Sequence, residues 1–136
     1  MKKLFENMVK IPYNKQWIVE YFVLKEGYSP VLEFIETIKD SKLSAKIIMM
    51  IDLLENVGIA LKGPYCKHIN NGLFELRIRQ GTNNARVFYF FDLNRIILTN
   101  GYIKKQNKLS RNEYEKALMY RAKYYERKDY ENNNSF

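Results

Sequence analysis

Apolar residues follow two rhythms along this chain. From Gly72 to Lys108 they fall in three short runs, LFELRIR, ARVFYFF and RIILTNGYI, separated by the polar turns GTNN and DLN. Runs of this length, rich in Ile, Val, Phe and Tyr and bounded by Gly, Asn and Asp, predict antiparallel strands. In the first run Phe74, Leu76 and Ile78 share one face and Glu75, Arg77 and Arg79 the other, because strand side chains alternate. A sheet covered on one side by helices buries the first set and leaves the arginines outward. An earlier run, Gln16 to Leu24 (QWIVEYFVL), predicts a further strand, ended by Gly27.

The second rhythm is helical. Ser29-Pro30 opens a helix, with Ser as a favoured N-cap and Pro at the first helical position, and Val31, Leu32, Phe34, Ile35 and Ile38 carry it to Lys39. Asp40 and Ser41 break and re-cap the chain. The stripe Leu43, Ile47, Met50, Ile51 and Leu54 predicts a second helix from Lys42 to about Val57, with Gly58 as its C-terminal glycine. The Met-rich segment Ile47–Ile51 fits core packing better than a partner surface at this spacing. Gly63-Pro64 starts a loop that runs through YCKHINN into the central strands. Ser110-Arg111-Asn112-Glu113 matches a capping box and predicts a last helix to about Arg127, with Tyr114, Ala117, Leu118, Arg121 and Tyr125 along one side. Residues 1–15 read as a flexible arm, 16–127 as the core of a single domain and 128–136 as a frayed polar tail. The order strand, two helices, three strands, helix predicts an α+β fold: a small, mostly antiparallel sheet of about four strands with helices on one face.

Charge sharpens the picture. The 136 residues carry a formal net charge of +8, with a pI near 9.5. Such a bias in a small chain implies a polyanionic partner: nucleic acid first, an acidic protein second, an anionic membrane third. The competing reading is a surface charged only for solubility. No continuous apolar run approaches the ~20 residues of a spanning helix, so no membrane partner is expected. The 46% apolar content argues against disorder throughout. A single cysteine, Cys66, leaves no internal disulfide and no cysteine cluster for zinc, and fits a reducing, cytoplasmic location. The start, MKKLFENMVKIPYNK, lacks the apolar segment of a signal peptide. Cys66 lies near His68, but without an Asp or Asn partner the pair is a poor nucleophile motif. One His without carboxylates is also a poor metal site. No cofactor or metal is expected. Lys62, Lys67, Lys116, Arg121 and Lys123 read as RNA-backbone contacts or as solvated charges.

Three blocks then stand out: Phe74-Glu75-Leu76-Arg77, Arg86-Val87-Phe88-Tyr89, and Asn100-Gly101-Tyr102 followed by Lys104-Lys105. With the closing helix, covering roughly Gly72 to Tyr125, they resemble the phage Gp49-like and HigB-like toxins of the RelE/ParE superfamily. The upstream helical hairpin agrees in order and length. The sequence departs from the family's pattern at Asn100, where a His is common, at Tyr102 for Phe, at Leu109-Ser110 for Thr-Pro, and at Glu75, where RelE-like members have a lysine. The resemblance implies a RelE-like fold and a type II toxin held inactive by a cognate helix-turn-helix, HigA-like antitoxin. HigB-like and RelE-like members cut mRNA in the ribosomal A site; ParE-like members inhibit gyrase. By similarity Arg77 and Arg86 take the positions of basic catalytic groups, and Lys104 and Lys105 fall in the basic cluster after the last strand.

Metal-independent RNA cleavage needs in-line geometry, removal of the ribose 2′ proton, and neutralisation of charge on the phosphorane and the leaving oxygen. Arg77, Arg86 and Lys104 suit the third task. No His–Glu pair exists to serve as base. Candidates are Lys104 or Lys105, whose neutral forms are favoured by neighbouring cations, and Glu75, for which an ion pair with Arg77, Arg79 or Arg86 is the competing role. Arg79, Lys67 and Lys108 are candidate substrate contacts. Tyr89 and Tyr102 are candidate stacking groups unless they belong to the core. Strict alternation puts Arg86 with Phe88 and Phe90, the expected buried set, unless a bulge swings it to the mouth. The reading is a ribosome-dependent mRNA endonuclease, with a gyrase inhibitor and a non-catalytic RNA- or ribosome-binding protein as alternatives.

Overall fold

The computed structural model describes residues 16–105 and 107–134; the arm expected over 1–15 lies outside the described residues. Among them the chain forms β1 (Ile18–Tyr21), α1 (Pro30–Thr37), α2 (Ser41–Val57), a 3₁₀ turn (Gly58–Ala60), β2 (Cys66–Asn70), β3 (Leu73–Gln80), β4 (Asn83–Asp92), β5 (Arg95–Ile103) and α3 (Arg111–Asn133). The five strands make one mixed, mostly antiparallel sheet in the order β1-β5-β4-β3-β2, with β1 parallel to β5. The fold is α+β, with one strand more than the four expected.

Caps fix the helix starts. Ser29 Oγ accepts the Leu32 N–H at 3.2 Å, and Asp40 Oδ1 accepts those of Lys42 and Leu43. Ser110 Oγ accepts from Glu113 N, while the Glu113 carboxylate pairs with Lys116 at 3.2 Å. α3 runs to Asn133, so the frayed tail expected from residue 128 is helix through Asn133, and residues 135–136 lie outside the described residues. The strand expected over Gln16–Leu24 is shorter, Ile18–Tyr21. The segment expected as a loop, YCKHINN, instead supplies edge strand β2. Its hairpin to β3 turns on Asn71-Gly72, both at positive φ (49° and 79°), the geometry an Asn-Gly turn favours.

Alternation along the strands builds two cores. Leu76, Ile78, Val87, Tyr89, Ile96 and Leu98 face the α1–α2 hairpin, where Val31, Leu43, Ile47, Met50 and Leu54 are buried. Leu73, Phe88, Phe90 and Ile97, the alternate set, pack with Phe22 and with Ala117, Tyr114 and Leu118 of α3. The hairpin therefore covers one face, as expected, and α3 packs against the side chains of the other. Arg121 and Arg127 of α3 donate to the Asn71 and Val23 carbonyls, and Asp92 accepts from Tyr124 and Lys128 at 2.7 and 2.6 Å. Burial works to raise the Asp92 carboxyl pKa, but those two hydrogen bonds and the Lys128 and Arg95 charges outweigh it and hold it low.

Candidate nucleic-acid interface

Beyond the N-terminus of α3 the second face carries polar side chains instead of an apolar core. Arg77 on β3 sits opposite Arg86 on β4, and Arg86 opposite Tyr102 on β5, one row across three strands. Two residues back on β3, and so on the same face, Glu75 lies opposite Phe88 on one side and Lys67 on the other. Glu75 is 1% exposed. Its Oε1 is 3.4 Å from Nε of both Arg77 and Arg86, and its Oε2 accepts the Tyr102 hydroxyl at 3.2 Å. A carboxylate this deep is tolerable only with such partners. Alternation does place Arg86 with Phe88 and Phe90. That set belongs to the second face, so no bulge is needed to bring Arg86 beside Arg77.

Arg86 is 9% exposed, and its Nη1 donates to the Ala85 carbonyl at 3.0 Å. Its Nε reaches Glu75 at ion-pair distance but makes no hydrogen bond, leaving a buried donor unsatisfied. Burial pushes its pKa down, Glu75 pulls it back up and Arg77 adds to the lowering; a guanidinium remains charged through this. Lys104 follows directly on β5, its N–H bonded to the Asn84 carbonyl at 2.7 Å. Burial first, and then the charge of Arg86, lower its ammonium pKa; Glu75 opposes this, while Arg77 and Lys67 add to it. Burial and Glu75 together push the Tyr102 hydroxyl up to about 12, so it stays protonated and donates.

Three clefts run along this end of the sheet. One, of about 380 Å³, lies between Tyr102–Lys105 and the start of α3, and is also lined by Lys108, Ser110 and Arg111. A second, of about 500 Å³, is lined by Asn83, Asn84, Arg86, Lys104 and Lys105 among others. A third, of about 550 Å³, lies between α2 and β3, where Arg77, Arg79, Asn84 and Arg86 line it with Lys46, Met50 and Tyr65. The first two share Lys104 and Lys105, and the last two share Asn84 and Arg86, so the three adjoin along one basic groove line. Among the described residues no Asp or Glu lines any of the three, and carboxylates bind at their rims, Asp40 to Asn83 and Glu115 to Arg111. At the α3 end, the helix dipole adds to the positive potential.

The expected site residues divide accordingly. Arg77, Arg86 and Tyr102 converge on Glu75, and Lys104 shares a cleft with Arg86. Lys105, Lys108 and Arg79 line the groove farther out, all exposed. Lys67 is exposed on β2, across from Glu75. Tyr89 does not join them: it is 1% exposed on the hairpin face, stacked on Phe74 at 5.4 Å, and burial drives its hydroxyl pKa far up. Asn100 is 3% exposed; its Nδ2 donates to the Glu113 carbonyl at 3.0 Å and its Oδ1 accepts from Thr99 at 2.8 Å. It ties β5 to the first turn of α3. Cys66 and His68 are separately engaged, the thiol donating to the Leu61 carbonyl and the ring accepting from Gly72 N. Among the described residues no three His, Cys, Asp or Glu side chains are placed to hold a metal ion, and no helix is long and apolar enough to cross a membrane. Sequence reasoning missed Lys46, Tyr65, Asn84 and Arg111; for Tyr65 the usable signal was its place just after the Gly63-Pro64 turn.

Fold and groove together define a small α+β protein with an open, basic channel beside a buried carboxylate. The profile of the phage derived protein Gp49-like family (DUF891) matches residues 34–121, and the chain belongs to that family. That span runs from α1 into α3 and contains Glu75, Arg77, Arg86, Tyr102 and Lys104. No curated protein matches the chain.

Proposed function

We propose that this protein is a toxin-type endoribonuclease of the RelE/ParE superfamily that cuts mRNA in the ribosomal A site without a metal and is held in check by a cognate helix-turn-helix antitoxin. The observation that carries the reading is the basic groove in which Arg77 and Arg86 pair with a buried Glu75 and Arg86 shares a cleft with Lys104. A channel of this polarity suits a single strand's phosphates, and convergent donors suit one phosphate in particular. Membership of the Gp49-like family and the strand motifs that resemble HigB-like toxins support the same direction.

In the proposed reaction the ribose 2′ oxygen attacks the adjacent phosphorus as its proton passes to Lys104. The P–O5′ bond breaks, giving a 2′,3′-cyclic phosphate and a 5′ oxygen that takes a proton from solvent. Arg77 and Arg86 neutralise charge on the phosphorane. Lys104 suits the base role because its ammonium pKa is lowered, which enlarges the neutral fraction. Glu75 is a positioning residue: it holds both arginines and Tyr102, and its burial sets it back from the groove.

The test is expression of the chain and its Arg77→Ala, Arg86→Ala and Lys104→Ala variants, with mapping of mRNA 5′ ends. Codon-phased cuts that drop by ~10²–10⁴-fold in the variants are expected for loss of a charge-stabilising or proton-transfer group. Growth arrest with intact mRNA and altered DNA supercoiling would contradict the reading and favour gyrase.

A further inference from the structure

The cleft between α2 and β3 has a make-up that phosphate binding alone does not require. It measures about 550 Å³, within the ~300–1,000 Å³ range of small-molecule sites. Half-buried Tyr65 gives it an aromatic wall over a floor closed by the buried Met50 and Ile78, while Arg77, Arg79 and Arg86 give it charge. The cleft exists because β2 begins only at Cys66. Beyond Leu76, β3 loses its neighbour, and Arg77 N bonds instead to the carbonyl of Tyr65 at 2.8 Å. The Lys46 ammonium, reaching over from α2, donates to the Arg79 carbonyl.

We infer that this cleft is a subsite for one nucleotide of single-stranded RNA, holding its base against the ring of Tyr65 and its phosphate on Arg77 and Arg79. Apolar surface exceeds what a phosphate needs, and cationic surface exceeds what a base needs; a nucleotide uses both. Arg86 lines this cleft and its neighbour, so the nucleotide here adjoins the linkage that the Arg86–Lys104 cleft would grip. The inference rests on the ribonuclease reading for the identity of the strand. It adds to that reading the place where a base, as distinct from the backbone, is sensed.

The test is an NMR titration of the full chain with a 2′-O-methyl RNA trinucleotide, which cannot be cleaved, and with three versions that each lack one base. For the wild type, one base position is expected to strengthen binding by ~5- to 150-fold, the range of base–aromatic stacking. Tyr65→Ala is expected to lose that factor, and to bind the probe lacking that base as the wild type does. Equal weakening on every probe, no effect on any, or no binding by the wild type would overturn the subsite. Should Tyr65→Ala fail to fold, Arg79→Glu at its exposed position carries the test: tenfold or greater weakening of all probes is expected, and unchanged affinity overturns the proposal. Because binding is read without cleavage, Tyr65-dependent binding by a chain that cuts no mRNA would sink the ribonuclease reading alone. Tyr65-independent binding by a chain that does cut would sink the subsite alone.

Discussion

Glu75 governs the groove by being out of reach of it. A carboxylate on the groove surface would repel a phosphate; one buried beneath it draws Arg77, Arg86 and Tyr102 together and leaves the exposed lining cationic. Replacing it should cost stability as well as activity, because two guanidiniums lose their counter-charge. Glu75→Gln is expected to destabilise the fold by about 3 kcal/mol, the lower end for breaking a buried ion pair, since the Arg77 side chain is 31% exposed. Denaturant unfolding checks this, and an unchanged midpoint would show that the pairs contribute nothing. Lys104 makes a prediction of opposite kind. Its pKa lies below the ordinary 10.5, so with Lys104 as base the cleavage rate should climb about tenfold per pH unit and level off before pH 10.5. Lys104→Arg, which stays protonated, should remove the climb. A wild-type rate that falls as pH rises would mean that the charged ammonium is the working form. Tyr102, pushed up to about 12, titrates too high to produce either profile.

At the scale of elements, turns and edges decide where the groove opens. The β4–β5 turn puts Leu93 at φ 54° with 86% of its surface exposed, a conformation that costs a Leu ~1–2 kcal/mol and an Asn much less. Leu93→Asn is therefore expected to raise stability by about 1 kcal/mol, read as a higher melting temperature; a lower one would mean the leucine has a role that the turn geometry does not explain. The hairpin α1–α2, the capped helix starts and strands β3, β4 and β5 were legible in the sequence, since apolar spacing and turn residues carry that information directly. β2 was not. In CKHIN polar residues sit on both faces, and only the Asn71-Gly72 turn betrays a hairpin. The end of α3 was illegible for a related reason: its last turns hold little apolar stripe, and contacts such as Arg127 to Val23 and Lys128 to Asp92 join distant parts of the chain.

At the scale of the whole molecule, the sheet is covered on two faces, and that arrangement creates the site. With only one face covered, Phe88 and Phe90 would be buried and Arg86 would be misplaced among them. With α3 packed over Phe88, Phe90 and Ile97, the same alternation puts Arg86 where the apolar cover ends and the groove begins. The cationic residues themselves were readable as residue types; the structure places Arg77 and Arg86 at Glu75 and Lys104 in a cleft with Arg86. The burial of Glu75, the seclusion of Tyr89 and the structural use of Asn100 depend on packing between elements, which periodicity along one chain does not encode. Arg77, Arg79, Arg86, Lys104, Lys105 and Lys108 then give part of the chain's basic surplus a location, a channel that suits a polyanion.

The central claim is attack by a ribose 2′ oxygen within that channel, and a defined mRNA programmed into purified ribosomes tests it most directly. Two transcripts suffice, differing only in a single 2′-deoxy substitution at the cut position. The account predicts that the all-ribose transcript is cut to a 2′,3′-cyclic phosphate and a 5′-hydroxyl, and that the substituted one stays whole at that position. An uncut ribose transcript, or equal cutting of both, would contradict it.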